Sequence, residues 1–357
     1  MNKILVKLIF KLICLIFILL TFIQLSSQSF NLEKPNEIPI QVNILRKINQ
    51  KCSNSTLNTA GIFIISLPFR TDRQDSVFLR ASLSGITVNI VDGIKGDLIP
   101  DKVLPEGAKE NLNPAEIGIW RAHVNIWQNI VKNNWESAVI MEDDADWDYN
   151  IRQQIGELNI NMKSFITKQK PLNNNSDNND VNDENNDVLF QKEYDGNTWD
   201  IIIIGACGDR GHPTDPTFFK WKDSSAPKDR DMLDEGVANM LLPNIKNIRL
   251  LAKSFYPLCS TGYLVSQRGA RRLLHNIGLL KVRQALDLEF IYLIQDNIIN
   301  SWTVYPPYLM QIRDGSSKDS DTQEISLIQS QHIYKNRRTS KNIEKLIDKQ
   351  LNPTCLW

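Results

Sequence analysis

Short apolar runs alternate with segments of helical periodicity along the middle of this 357-residue chain. The runs are rich in β-branched residues and too short for helices, so we predict buried strands there. The predicted strands lie at residues 61–67, 87–91, 138–141 and 199–204, and within 258–265. Helices are predicted at residues 72–84, 114–131 and 267–275. Strands that alternate with helices are typical of an α/β fold with a mostly parallel central sheet.

The first predicted helix has a simple amphipathic pattern. Val77, Leu79 and Leu83 recur at helical spacing and are predicted to face the core, and Gly85 ends the helix. Helical spacing also places Glu116, Trp120, His123 and Trp127 on one stripe of the second helix. Glu116 and His123 are therefore candidates for contact with a ligand, although a role as bonded polar groups in the core stays open.

The first thirty residues differ from the rest of the chain. Lys3, Lys7 and Lys11 precede an uncharged stretch from Leu12 to Leu32, which at about 20 residues is long enough to cross a bilayer as a helix. We expect residues 1–30 to be a cytoplasmic tail and signal anchor. The body would then lie in the lumen of the Golgi or the ER as a single-pass type II protein. A cleaved signal peptide, which would make the protein secreted, stays open.

Composition divides the remainder of the chain. Residues 31–58 are a polar stem, residues 59–321 carry the predicted strands and helices, and residues 322–357 form a C-terminal tail. An Asn- and Asp-rich insertion near 168–190 is too polar to bury a core, and we predict that it is disordered. Basic and acidic residues balance at 41 each, so the net charge does not favour a nucleic acid partner.

Cysteine usage agrees with an oxidising compartment. Four cysteines follow the hydrophobic segment and allow three connectivities. We favour disulfides between Cys207 and Cys259 and between Cys52 and Cys355, and four free thiols remain the alternative. Glycosylation sequons begin at Asn54 and Asn174.

Three adjacent carboxylates, Glu142, Asp143 and Asp144, follow the strand at 138–141. Their mutual repulsion is relieved by a divalent cation, and Mg²⁺ and Mn²⁺ prefer such hard oxygen ligands. The carboxyl end of a strand is also where open α/β sheets bind ligands. The alternative is an acidic helix N-terminus that favours the helix dipole.

Two arginines follow the first strand. Arg70, Asp72 and Arg73 lie where a strand meets a helix start, and guanidinium groups and helix N–H donors both suit a nucleotide diphosphate. Alternatively, Asp72 caps the helix and Arg73 is a surface residue.

The order of these segments resembles glycosyltransferase family 25, which includes lipooligosaccharide and collagen galactosyltransferases, and in particular its fungal branch. The matching pieces are Ile65–Arg73, Glu116–Trp127, Val139–Asp148, Trp199–Gly208, Tyr256–Arg271 and Gly315–Asp321. The resemblance implies a GT-A fold, a Rossmann-like nucleotide-diphospho-sugar transferase. It also implies Mn²⁺ or Mg²⁺ on Glu142, Asp143 and Asp144, and a UDP-sugar near Arg70, Asp72, Arg73, Glu116 and His123.

The family inverts the anomeric centre, so the resemblance also implies a carboxylate base. Asp287 is our first choice and Glu289 the second, while helix capping by Asp287 stays open. The expected activity is transfer of a hexose to a glycan or glycoprotein acceptor, and galactose is the favoured hexose. Membrane contact would come through the anchor alone.

The chain departs from its fungal relatives at two places. It lacks a histidine ahead of Cys207, and Met310–Arg313 lack the histidines that those relatives carry. A catalytically lapsed protein that binds nucleotide or glycan is therefore the alternative reading, followed by a metal-dependent phosphohydrolase.

Overall fold

The computed structural model describes residues 52–169, 198–209, 211–226 and 247–312. The strands in these ranges are β1 Ile62–Ser66, β2 Val88–Asp92, β3 Ser137–Glu142, β4 Ala145–Trp147, β5 Ile201–Ile203, β6 Phe218–Lys222, β7 Ile248–Lys253, β8 Gly262–Ser266, β9 Ser301–Tyr305 and β10 Leu309–Gln311. The helices are α1 Thr71–Ser84, α2 Ala108–Asn111, α3 Pro114–Lys132, α4 Ile151–Gln169, α5 Gln267–Leu273 and α6 Leu286–Gln295. A π-helical segment, Leu274–Leu280, continues α5. The strands and helices predicted within the described ranges are present, with shifts of up to four residues at their ends. Elements without a counterpart among the predictions are β4, β6, β7, β9, β10, α2, α4 and α6.

Eight strands form the central sheet in the order β2-β1-β3-β8-β5-β9-β7-β6. The first three pair in parallel, as predicted. Strand β8 then runs antiparallel to both of its neighbours, β3 and β5, so the sheet as a whole is mixed. The fold class is therefore α/β with a large mixed sheet, in which β5 and β9 form a further parallel pair beyond β8.

Layers of helices cover both faces of the sheet. In β3, Ile140 packs into one apolar cluster, while Val139 and Met141 pack into the other. Since successive strand residues point to opposite faces, this alternation means that β3 is buried on both sides. Helices α3, α5 and α6 contribute to the first cluster, and α1 and α4 contribute to the second.

Helix α1 differs from the predicted pattern at one position. Val77 is fully buried, but Leu79 is 45% exposed. Arg80 takes the inward position, where its guanidinium lies 5.2 Å from the ring centroid of Trp147 and 3.9 Å from the Asp146 carboxylate. The prediction for Leu79 was wrong because an arginine with an aromatic and an acidic partner is buried in its place.

Several predictions concern residues outside the described ranges. They include the anchor at 1–30, most of the stem, the Asn- and Asp-rich insertion, the sequon at Asn174 and the C-terminal tail. None of the helices in the described ranges is long and apolar enough to cross a membrane. The predicted disulfide between Cys207 and Cys259 is present. Cys52 is also disulfide-bonded, and its predicted partner, Cys355, lies outside the described residues.

Candidate active site at the carboxyl end of strand β3

The acidic cluster Glu142, Asp143 and Asp144 ends a central strand of the sheet. Strand β3 lies between β1, which runs parallel to it, and β8, which runs antiparallel. Asp143 and Asp144 are both buried, with 8% of their surface exposed. Immediately after the cluster, β4 pairs with β10 in a separate two-stranded sheet. The chain therefore turns sharply at the cluster, which leaves the three carboxylates at the edge of the main sheet.

The Asp143 side chain contacts the end of β1 and the start of α1. Ser66, the last residue of β1, donates a hydrogen bond of 2.8 Å to Oδ2 of Asp143. Arg73, in the first turn of α1, contacts Oδ1 at 2.5 Å. The β1–α1 turn thus brings a guanidinium group onto the acidic cluster, a contact that was not predicted from the sequence.

Arg70 and Asp72 bond to each other in the same turn. Nε and Nη2 of Arg70 each donate a 3.0 Å hydrogen bond to the Asp72 carboxylate. The hydrogen bond from Arg70 is the largest cause that lowers the pKa of Asp72 to about 2. Arg70 is mostly buried whereas Asp72 is exposed, so this ion pair lies at the surface of the turn.

Glu142 is bonded to the segment before β8, which pairs with β3 on the side away from β1. Ser260 donates a 2.6 Å hydrogen bond to Oε1 of Glu142. Burial raises the pKa of Glu142 to about 7, with further contributions from the charges of Asp144, Asp287 and Asp143, while the hydrogen bond from Ser260 opposes the rise. Four carboxylates from two distant parts of the chain therefore influence one another here.

Asp287 lies in the first turn of helix α6, and its charge acts on Glu142 of this cluster. Its Oδ2 accepts a 3.1 Å hydrogen bond from the backbone N–H of Cys259, and its Oδ1 accepts one from Leu288. Glu289 has a different environment: it is buried and accepts hydrogen bonds from the backbone N–H of Gln284 and from the Arg283 side chain. The structure thus separates the two candidate bases, with Asp287 at the cluster and Glu289 bonded to the loop before α6.

The two polar residues on the stripe of α3 do not lie in the acidic cluster. Glu116 belongs to a capping box with Asn113, in which each side chain accepts a hydrogen bond from the other's backbone N–H. His123 is fully buried, with Nδ1 2.8 Å from the Tyr263 hydroxyl. Burial lowers the pKa of His123 to about 3. The structure therefore gives Glu116 a helix-capping contact and His123 a place in the core.

Sequence reasoning missed several residues at this edge of the sheet. Besides Ser66 and Ser260, the Phe69 ring is 57% exposed and lies 5.4 Å from the Lys95 ammonium group. Phe69 follows β1 and Lys95 follows β2, and Asp92 at the end of β2 is paired in register with Ser66. In the sequence, the available signal was an aromatic residue in the short loop between the first predicted strand and the first predicted helix.

A metal that is shared with a substrate fits the cluster better than a closed protein site does. Within the described ranges, no group of three or more His, Cys, Asp or Glu side chains is arranged to hold a metal ion. A cation that also binds substrate phosphates needs only one or two protein carboxylates. Glu142 and Asp144 offer hard carboxylate oxygens at one place at the end of β3, so their chemistry fits a shared site of this kind.

The sheet and its acidic edge define a class of α/β proteins that bind ligands at the carboxyl ends of their strands. The family described as glycosyltransferase family 25 (LPS biosynthesis protein) matches residues 59–288. The chain belongs to this family.

Curated relatives resemble parts of the chain. Procollagen galactosyltransferase 1-B of Xenopus laevis is 23% identical over 227 residues, covering 60% of this chain and 28% of the relative. Human procollagen galactosyltransferase 2 is 24% identical over 114 residues, covering 28% of this chain and 18% of the relative. The human inactive glycosyltransferase 25 family member 3 is 27% identical over 110 residues, again 18% of its length. The chain thus spans less than a third of the length of these relatives.

Proposed function

We propose that this protein is a glycosyltransferase that transfers a hexose from a UDP-sugar to a glycan or glycoprotein acceptor, with galactose as the favoured hexose. The proposal rests above all on the acidic cluster at the end of β3, where Arg73 contacts Asp143 and the charge of Asp287 acts on Glu142. Family membership and the mixed α/β sheet support a GT-A fold. The names of the relatives provide the choice of galactose.

The diphosphate of the donor would lie at the acidic cluster. Asp144 and Glu142 would hold Mn²⁺ or Mg²⁺, which when bound supplies positive charge against the departing UDP. The Arg73 guanidinium contacts the Asp143 carboxylate, so it would lie next to the diphosphate. Its guanidinium matches phosphate geometry, so we assign to it the orientation of the diphosphate.

The nucleoside would extend from this point across β1 towards β2. Asp92 and Ser66 are register partners on adjacent strands, which lie about 4.8 Å apart. The Phe69 ring would stack on the base, and the Asp92 carboxylate would accept hydrogen bonds from the ribose. Arg70 and Asp72 would shape the turn that carries Phe69.

Asp287 would act as the catalytic base. The acceptor hydroxyl oxygen bonds to the anomeric carbon, the bond from that carbon to the UDP oxygen breaks, and the hydroxyl proton passes to the Asp287 carboxylate. Attack opposite the leaving group inverts the anomeric centre. Glu289 has no such role in this proposal, because its carboxylate is buried and bonded to Arg283 and Gln284.

Donor hydrolysis is the test of this function. Full-length protein would be incubated with a panel of UDP-sugars and Mn²⁺, and UDP release measured with and without EDTA. We expect slow, metal-dependent release from one donor, loss of at least about tenfold in Asp144→Ala, and no loss in Asp296→Ala, which removes a carboxylate at the far end of α6.

An inactive family member is the alternative, since one relative is named as inactive. That alternative would be favoured if calorimetry detects UDP binding while no UDP is released from any donor, with or without an acceptor. Absence of both binding and release would contradict the glycosyltransferase proposal. We also propose, from the N-terminal hydrophobic segment and the disulfides, that the body lies in the secretory pathway.

A further inference from the structure

The segment from Leu258 to Thr261 has contacts to both Glu142 and Asp287. Ser260 donates to the Glu142 carboxylate at 2.6 Å, and the backbone N–H of Cys259 donates to Asp287 at 3.1 Å. The carbonyl of Thr261 accepts from the Glu142 N–H at 3.1 Å. Consecutive residues thus connect the end of β3 with the start of α6.

This segment is held in place from its other side by residues that follow β5. The backbone N–H of Cys207 donates to the Leu258 carbonyl, and that of Leu258 donates to the Gly208 carbonyl, both at 2.8 Å. The disulfide between Cys207 and Cys259 adds a covalent bond at the same place. The segment is thereby fixed to the sheet through β5 as well as through β8.

Cys259 has a backbone conformation that needs such support. Its φ angle is 69°, in the left-handed region that residues other than glycine seldom occupy. Such conformations persist where the surrounding structure enforces them. Without the disulfide, Cys259 is free to return to the right-handed region, which would turn its N–H away from Asp287 and displace the neighbouring Ser260 hydroxyl from Glu142.

We propose that the Cys207–Cys259 disulfide and Ser260 are positioning elements for catalysis, an inference that rests on the proposed function. They set the distance between the Asp287 base and the acidic cluster. They do not form the nucleotide contacts, because Ser66, Arg73 and Phe69 belong to the β1–α1 side of β3. Their loss therefore slows turnover and leaves the metal-independent binding of UDP in place, whereas metal-dependent binding of the donor also involves Glu142, which Ser260 contacts.

The test measures kcat, KM for the UDP-sugar and the calorimetric Kd of UDP in the full-length protein. Cys207→Ala/Cys259→Ala removes the disulfide, and Cys52→Ala is the matched control because it removes a disulfide outside the site. We expect kcat to fall at least about tenfold in the double variant, since a misplacement of about 1 Å can cost 10²-fold. The Kd of UDP measured in EDTA, without metal, should change less than about twofold, and the control should keep wild-type kcat.

A second pair of variants covers failure of the double variant to fold. Ser260→Ala removes the hydroxyl, whereas Ser260→Thr retains it. We expect a lower kcat at an unchanged metal-free Kd of UDP in Ser260→Ala and recovery of most of that loss in Ser260→Thr. Unchanged kcat in folded Cys207→Ala/Cys259→Ala, or equal activity in the two Ser260 variants, would overturn the inference while wild-type turnover still upheld the proposed function. An inactive wild type would overturn both.

Discussion

Three side chains in the core share one phenolic hydroxyl. The Tyr263 oxygen lies 2.8 Å from Nδ1 of His123 and accepts a 3.1 Å hydrogen bond from the Trp127 indole. The His123 and Tyr263 rings are stacked, with centroids 5.8 Å apart. Since His123 is fully buried, an ionised imidazole would lose its hydration without gaining a carboxylate among the recorded partners. The folded protein therefore holds His123 in its neutral form.

This burial predicts a dependence of stability on pH. The pKa of His123 is about 3 in the folded protein and about 6.5 in an unfolded chain. Between these values the unfolded state binds the extra proton, so stability falls as the pH falls, by about 1.4 kcal/mol per pH unit from this group. We expect His123→Phe to reduce that slope in urea unfolding between pH 6.5 and 4.5. The exposed His275→Phe should retain it, and identical slopes in the two variants would contradict the prediction.

The exposed Phe69 ring carries a second prediction at this scale. Stacking of a base on an aromatic side chain contributes about 1–3 kcal/mol. Phe69→Ala should therefore weaken UDP binding about fivefold or more, measured by calorimetry. Phe78→Ala is the matched control, because Phe78 is 50% exposed and lies on α1. Equal affinity of both variants and the wild type would remove Phe69 from the nucleotide site.

At the scale of elements, helix α3 approaches the loop after β2 closely enough to require glycine. A Cβ atom at Gly118 would lie 2.1 Å from the carbonyl oxygen of Ile94, and one at Gly96 would lie 1.8 Å from that of Pro114. Both obstructing atoms belong to the backbone, which cannot rotate away. The contact holds the loop that carries Lys95 beside the start of α3.

Gly118→Ala should consequently destabilise the protein even though alanine favours helices. The gain in helix propensity is about 1 kcal/mol, whereas overpacking against backbone costs about 1–3 kcal/mol or more. We expect a lower urea midpoint for Gly118→Ala. Gly278→Ala is the control, because the nearest atom to its Cβ would be 3.6 Å away. A midpoint at or above that of the wild type in Gly118→Ala would contradict this view of the packing.

At the scale of the whole molecule, the sequon at Asn54 tests the proposed compartment. Asn54 is exposed, and its Oδ1 accepts hydrogen bonds from the N–H groups of Thr56 and Asn58. If the body is luminal, protein from eukaryotic cells should lose mass when treated with a peptide N-glycosidase. Asn54→Gln should remove one glycan, while Thr56→Ser preserves the sequon and should keep it. Absence of a glycan from both the wild type and Thr56→Ser would count against the luminal placement.

The outcomes at the three scales show where sequence reasoning stops. Strands β1, β2, β3, β5 and β8, helices α1, α3 and α5, and the acidic cluster follow from local patterns, because apolar runs and helical spacing are properties of neighbouring residues. The inward position of Arg80 was not predictable in this way, since it depends on Trp147 and Asp146 from another strand. The same holds for the antiparallel direction of β8, which depends on how distant segments pair.

By itself, the sequence determined an α/β fold, a strand that ends in three carboxylates and an arginine at the neighbouring helix start. Only the tertiary structure decided which polar groups meet. Glu142 and Ser260 are 118 positions apart along the chain, and Asp287 and Glu289 are separated by helical rotation into different surroundings. The reason is that a local pattern specifies the type of each element, whereas packing sets which side chains share a buried edge and lose their hydration together.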